Sequence, residues 1–461
     1  MFRSFLLAVK NIVTCRCYWL PILVLIVLIL LQVVSLKAEE LTLTQAQVTR
    51  SNSLPSPLTL EYALNLATQN NPVTRLAENK LISAKAESRL IKSDVGVNLL
   101  LKARARWVES PSALQYLGRE DHAAKVVLSK TIYDFGRTSN KVLASNENET
   151  VFVLQLKNES EIHRLRVMRA YFDVLLADLT YARDNEAMAM GYIRYDRDKE
   201  RASLGQRSDL DVLEKQSLYE VTRQAKYESE SQQRLTRNYL SLLIDRPDQL
   251  PSKLAMPSLE YQKLKMKEYE DLKIAALQNN LELKILKEKR SALMHQLKSI
   301  RAQRLPVVSA EVEAGVYERE IGSNDIWRAG VLFEMPLYQG GKVSASAAFK
   351  KNEIDQFNIL IYQAEQEVKQ NVLKHWLALG DLKIQTLASS VLYDYREYYL
   401  DRARALYEME VKSDLGDSMV ELSAASLKVA EAQFEVAMHW EMLAQLTQMT
   451  IAEMTTEELA Q

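Results

Sequence analysis

Tyr133-Asp134-Phe135-Gly136-Arg137 returns about 205 residues later as Tyr338-Gln339-Gly340-Gly341-Lys342, and the architecture can be worked out from this doubling. Each copy closes a run of alternating apolar and polar residues and opens a long run of helix formers. A strand therefore passes abruptly into a long helix at both sites. Glycine suits such a corner because it takes positive φ without steric cost. One aromatic-x-x-Gly-basic string says little, but two in the same context mark an internal repeat. The corner residues are Tyr133, Gly136 and Arg137 in the first copy and Tyr338, Gly341 and Lys342 in the second.

Upstream of the first corner, Leu101, Ala103, Ala105 and Trp107 alternate with Lys102, Arg104 and Arg106, and Ala124, Val126, Leu128 and Ile132 stand against Lys125 and Lys130. This predicts a hairpin over about 97–133, with Ser110 to Asp121 as its loop. Upstream of the second corner, Val308, Ala310, Val312, Ala314 and Val316 alternate with Ser309, Glu311, Glu313 and Tyr317. Ala329, Val331, Phe333 and Met335 follow after Gly322-Ser323-Asn324, and a second hairpin is expected over about 307–338. Strands of about ten residues can cross an outer membrane when tilted, although a soluble half-buried hairpin alternates in the same way. The polar face is basic in the first hairpin and largely acidic in the second, so the two could pair charges. A barrel interior needs about eight strands, and hydrocarbon does not tolerate open sheet edges. Four strands in a membrane therefore require further copies of the chain.

Downstream of the first corner no Gly or Pro occurs between Arg137 and Met190, about 80 Å of potential helix. Leu165, Met168, Phe172, Leu175, Leu179 and Ala182 fall three and four apart, a coiled-coil seam. A break at Leu204, Gly205 and Ser208 leads to a return helix from Leu210 to about Ile244. The second half repeats this with a helix from Lys342 to about Lys412, a turn from Ser413 to Ser418 that contains Leu415 and Gly416, and a return through Leu422, Ala425, Val429, Ala432, Val436, His439, Leu443 and Leu446. Before each hairpin stands a helix with an Asn-Asn stop, Gln69-Asn70-Asn71-Pro72 and Gln278-Asn279-Asn280-Leu281.

Composition agrees with long elements and few turns, since 461 residues include only 12 Gly and 10 Pro. The net charge of −1 gives no sign of a nucleic-acid surface. Cys15 and Cys17 precede an apolar run from Tyr18 to Leu36, so the rest of the chain has no thiol for a disulfide or a metal. That run reads as a signal peptide over 1–38 or as an N-terminal membrane anchor. The expected plan is then a linker at 39–57, a first repeat at 58–250, a linker at 251–265, a second repeat at 266–450 and a tail at 451–461. An enzyme is not expected. His122, His163, His295, His375 and His439 are scattered without a ligand motif. His439 reads as packing or polar lining, Asp134 as a helix cap, and no cofactor or metal is implied.

Over roughly residues 55–450 the chain resembles the TolC outer-membrane efflux protein family. The residues that carry the resemblance are Leu58 to Leu66 with Asn70-Asn71-Pro72, the two corners, and the turns near Gly205 and Gly416. It implies a mainly α fold with a small β part and an internal two-fold repeat. Four strands per protomer would contribute to a twelve-stranded outer-membrane barrel in a homotrimer, and long antiparallel helices to a periplasmic α-barrel. It further implies the exit duct of a multidrug or type I secretion system. The partners implied are outer-membrane lipid, an inner-membrane ABC or proton-driven transporter, and a periplasmic adaptor meeting the tips at Leu204, Gly205, Ser208, Leu415 and Gly416. A periplasmic or inner-membrane-anchored coiled-coil scaffold is the rival reading. It explains the helices but not the paired hairpins.

Near the tips stand Asp209, Asp211 and Glu214 in the first repeat and Asp414, Asp417 and Glu421 in the second. In a trimer they would ring one opening, and rings of Asp or Glu select cations. Equally, carboxylates favour helix N-termini as solvated groups. Family members often narrow the mouth with two acidic residues on the second return helix. Those positions fall at Val420 and Ser423 here, with Asp211 and Glu214 as first-repeat counterparts, so Asp414, Asp417 and Glu421 become the expected substitutes.

Overall fold

The chain runs twice through one order of elements, helix, helix, strand, strand, long helix, return helix. A computed structural model describes residues 54–455 apart from 69–70, 110–118, 262–263, 319–324 and 412–413. The expected signal peptide and most of the 39–57 linker lie outside the described residues, as do Pro111, Gly118, Gly322 to Asn324 and Ser413.

The first pass comprises α1 (Leu60–Thr68), α2 (Pro72–Ser93), β1 (Asn98–Arg104), β2 (Ala123–Tyr133), α3 (Arg137–Ser203) and α4 (Asp209–Leu243). The second comprises α5 (Tyr269–Asn279), α6 (Leu281–Ala302), β3 (Val307–Tyr317), β4 (Trp327–Glu334), α7 (Lys342–Glu408) and α8 (Leu415–Thr447), with a short α9 (Ile451–Met454) behind it. α3 and α7 are each 67 residues long, about 100 Å at 1.5 Å per residue. Both run through a glycine, Gly191 in α3 and Gly380 in α7, each inside regular helix, and α3 ends at the expected break. α7 ends at Glu408, short of the expected Lys412.

The Asn-Asn stops are joints between helices. Asn71 accepts from Val73 N at 2.9 Å, capping α2, while its amide donates to Leu243 O at the end of α4 at 2.6 Å. Asn280 does the same in the second repeat, accepting from Leu283 N at 3.2 Å and donating to Leu446 O at 3.3 Å. Both are buried, so each satisfies orphan groups at two helix ends at once. The segments that enter the repeats are also matched. Leu58 bridges Leu254 after α4, and Met266 bridges Thr455 after α8.

The four strands form one antiparallel sheet in chain order, with β2 pairing β3 across the repeats. β1 starts and ends three residues earlier than the alternation suggested. Beyond Arg104 its pairing continues irregularly, with Asp121 N donating to Arg106 O and Trp107 bridging Glu120. Register sets the faces, because directly paired residues share a side. Leu101, Val126, Ala314 and Trp327 form one cross-strand row, and Leu99, Leu128, Val312 and Ala329 the next. Lys130 pairs with Ala310 and so lies in this apolar face, not beside Lys125 as expected. It has the parity of Leu128 and Ile132, and near the strand end its stem can lie along apolar surface while the ammonium reaches water.

The main core lies where the middle of α3 meets α1, α4 and α8. Val167, Met168, Tyr171, Phe172, Val174 and Leu175 are buried there, with Phe172 stacked on Phe434 of α8 at 4.4 Å between centroids. Burial on nearly every side replaces the expected narrow seam. Tyr171 OH donates to Leu58 O and Ala255 O at 2.8 and 2.6 Å, tying the hub to the linkers.

Candidate functional site

At the corners the two repeats coincide atom for atom in their backbone bonds. Arg137 N donates to Asp134 O and Lys342 N to Gln339 O, both at 3.1 Å. Gly136 and Gly341 take φ of 86° and 79°, and the residues before them, Phe135 and Gly340, take 53° and 57°. Two left-handed residues in succession turn strand into helix, which explains the glycines. Asp134 accepts from Thr138 N at 2.7 Å, capping α3 from two positions upstream of Gly136. Arg137 and Lys342 open their helices, where a cation opposes the helix dipole, so helix stability does not explain them.

Aromatic residues stand exposed at both ends of the sheet. Tyr133, Phe135 and Tyr338 mark the helix end, and Trp107 and Trp327 the loop end. Between them the polar face carries a charge cluster. Glu313, 2% exposed, accepts from Lys125 at 2.9 Å across the repeats, pairs with Arg328 at 2.8 Å and takes a hydrogen bond from Tyr317. Arg104 and Arg106 share Asp121.

At the far ends of the long helices the first tip is a tight reversal. Gly205 takes φ 72°, and Gln206 N donates back to Arg201 O at 2.8 Å. Ser208 and Asp211 form a capping box, each accepting from the other's backbone N at 3.2 Å. Those bonds hold the Asp211 carboxyl below its ordinary range. Glu214 pairs with adjacent Lys215 at 2.8 Å. Leu204 is exposed at the apex, as is Leu210 at the start of α4.

The second tip corrects the assignment of its glycine. Val411 N donates to Leu406 O as Gln206 does to Arg201, and the left-handed residue is Glu410, φ 60°. Gly416 is instead helical, next to Leu415 in the first turn of α8. A Cβ there would meet the end of the Met190 side chain of α3 at 2.0 Å, so the residue lets α3 and α8 approach.

The acidic residues of this tip are engaged across helices. Asp417 is paired with Arg194 of α3, and Glu421 with Arg396 of α7 at 3.1 Å. Asp414 caps α8 through its backbone, its carbonyl accepting from Ser418 N and Oγ at 2.9 and 2.8 Å. Ser423, one of the two positions lacking the expected carboxylate, donates to Glu186 of α3 at 2.6 Å. A carboxylate therefore reaches that place from another helix. Sequence reading missed Arg194, Arg396 and Glu186, because nothing local announces partners some 25 to 237 residues away.

The histidines are not all scattered. His375 of α7 and His439 of α8 face each other with their Nδ1 atoms 3.0 Å apart. Among the described residues no group of three or more His, Cys, Asp or Glu converges as a metal cage, and no helix is long and apolar enough to cross a membrane.

No family model and no curated protein matches the sequence. Solved structures do match its fold. The Campylobacter jejuni CmeC outer membrane channel superposes with a TM-score of 0.70 at 13% identity, covering 86% of this chain and 88% of that one. The outer membrane protein VceC of Vibrio cholerae gives 0.66 at 14% identity, over 84% and 94%. The open state of the Neisseria gonorrhoeae MtrE outer membrane channel gives 0.65 at 17%, over 84% and 88%. The fold is that of the TolC-like channels, mainly α with four strands per protomer.

Proposed function

We propose that the chain is the outer-membrane exit duct of a tripartite export system, assembled as a ring of three copies. The observation that carries this reading is an interface made once within the chain and left half unmade. α6 and α8 of the second repeat pack on α3 of the first. Among the described residues the counterpart surface of α7 has no such cover, and it exposes Leu373, Leu377, Ile384, Leu387 and Val391. The surfaces that repeat logic would bring to it, on α2 and α4, expose Leu76, Ile82, Leu218, Val221 and Leu235. The sheet has the same gap, since β2 pairs β3 while β1 and β4 are wholly exposed edges. A second copy placed head to tail fills both gaps, with its β1 on β4 and its α2 and α4 on α7. Such heterologous contacts give a ring when the rotation between copies closes, and three copies are proposed to close it.

Three copies give twelve strands, enough to enclose a lumen. Edges closed in this way leave no unpaired backbone in lipid. The face that carries Leu101, Val126, Leu128, Val312 and Val331 would meet lipid, with the aromatic residues at its two ends at the interfaces. Arg137 and Lys342 would lie at the headgroup level. The ionic cluster of Glu313, Lys125 and Arg328 would face the lumen. The long helices would extend into the periplasm, where a periplasmic adaptor meets the tips and an inner-membrane ABC or proton-driven transporter supplies cargo. At the mouth, Asp414, Asp417 and Glu421 form the acidic constriction, with Asp211 and Glu214 beside it. Arg194 and Arg396 hold Asp417 and Glu421 until the helices part.

Fractionation and electrophoresis test the duct. A heat-sensitive trimer in the outer-membrane fraction is expected, and a monomer in the soluble or inner-membrane fraction would overturn the reading. The mouth is tested in planar bilayers with the triple variant Asp414→Ala, Asp417→Ala, Glu421→Ala, for which raised conductance and weaker cation preference are expected. Unchanged values would leave these carboxylates as pairing and capping groups only.

A further inference from the structure

His375 and His439 lie in the paired stretch of α7 and α8, well away from corner, sheet and tip, and nothing in the duct reading uses them. Their rings are 4.9 Å apart between centroids and inclined at 70°, and the two Nδ1 atoms approach to 3.0 Å. Two imidazole nitrogens that share one zinc ion at about 2.0–2.1 Å stand roughly 2.9–3.4 Å apart for bond angles between right and tetrahedral. The Nδ1 separation thus falls within the bite of a chelate, and it is the separation of an N–H···N hydrogen bond as well. The outward nitrogen of His439, Nε2, looks toward Glu435 Oε2 at 3.9 Å. That is beyond hydrogen-bond reach, so in the metal-free chain Glu435 acts on His439 by charge, and it stands where the carboxylate support of a metal-ligating histidine is usually found.

We propose that His375 and His439 form a two-histidine site for a divalent transition cation, zinc, copper or nickel, that clips α7 to α8. No closed cage surrounds the pair, so water fills the remaining positions. Burial lowers the pKa of both rings, that of His375 to about 4 with His439 adding to the fall, while Glu435 works against the fall at His439. Both are therefore neutral at pH 7, which is the ligating form. Other charged groups around the pair divide evenly in sign. Lys374 of α7 and Arg169 of α3 oppose a cation, but Arg169 is paired with Glu435. Glu435 and Asp173 favour one, with Asp173 close enough to act on Arg169. In the metal-free chain one Nδ1 donates to the other. On binding that proton moves to Nε2 through water, so neither ring changes its net charge.

The clip would span the helix pair that leads down to the bridge between Arg396 and Glu421, and its occupancy does not depend on whether the chain conducts. The test uses the untagged full chain purified in detergent and stripped with a chelator. Titration calorimetry with zinc chloride should show one saturable site per chain. His375→Ala and His439→Ala should each weaken it by more than about tenfold, Glu435→Gln by about tenfold through the orientation of His439, and His295→Ala not at all. Electron paramagnetic resonance of the wild-type chain with one equivalent of copper(II) should show two nitrogen donors, a readout that survives if a variant fails to assemble. No saturable zinc binding, binding retained in the double His375→Ala, His439→Ala variant, or a copper spectrum without two nitrogen donors would each overturn the proposal.

Discussion

α3 and α7 share a length, a glycine corner and a place in the repeat, yet α3 is the buried hub of the chain and α7 is an outer wall. Around α3 pack α1, α2, α4, α6 and α8, drawn from both repeats, whereas α7 meets α5, α6 and α8 of its own repeat. Ala170, Tyr171, Phe172 and Val174 are consecutive or nearly so and all buried, while Leu377, Ile384, Leu387 and Val391 stand more than half exposed. Equal helices thus differ because one repeat has a neighbour inside the chain and the other does not. An exposed apolar row of this kind marks an interaction surface, which the proposed ring of copies would cover.

The comparison breaks most readily at the hub. Phe172→Ala should cost about 3–5 kcal/mol, since the ring is fully buried against Phe434, and the folded yield and thermal midpoint would register it. Leu377→Glu should leave the fold of a single chain intact while sharply reducing trimer on unheated gels. Trimer at wild-type yield in Leu377→Glu would mean that the α7 face is not an interface. On the sheet, Val312→Arg places a charge in the apolar row, an expected penalty of about 2–4 kcal/mol if that row lies at the bilayer midplane. Replacement of Arg104 should be tolerated, and the opposite outcome in trimer yield would reverse the two faces.

The joints between repeats should respond alike. Asn71→Ala and Asn280→Ala each remove a cap and leave the buried carbonyl of Leu243 or Leu446 without its donor, an expected loss of about 1–3 kcal/mol. The shorter bond at Asn71 ranks it first, and chemical denaturation of the two variants would order them. The tips give the smallest effect. Glu410 holds a left-handed conformation that Gly205 holds freely in the other repeat, so Glu410→Gly should stabilise by no more than about 1 kcal/mol. A fall in thermal midpoint would show that the Glu410 side chain contributes more than its backbone strain removes.

Periodicity and punctuation made the architecture legible. Alternation with period two and apolar spacing of three and four need no distant partner to be read, so the hairpins, the long helices and their doubling all stood out before any contact was known. The twin corners were legible because a positive φ leaves a glycine in the string, and the twin stops because a buried cap leaves an asparagine. Where the special residue is not a glycine the string misleads, since the second turn is made by Glu410 and not by Gly416. Charge misleads at Lys130, whose parity puts it with Leu128 and Ile132.

Element order, the repeat and the two faces of most strands follow from local steric and hydropathic rules that act within a few residues, so they can be read along the string. That α3 is enclosed while α7 is bare emerges only from the folded packing. It also decided that Arg194 and Arg396 hold the tip carboxylates, and that His375 and His439 meet across 64 residues. Such pairings depend on which helices are neighbours and on their axial register. That choice is set by the summed packing of the two repeats, which no stretch of the string carries on its own.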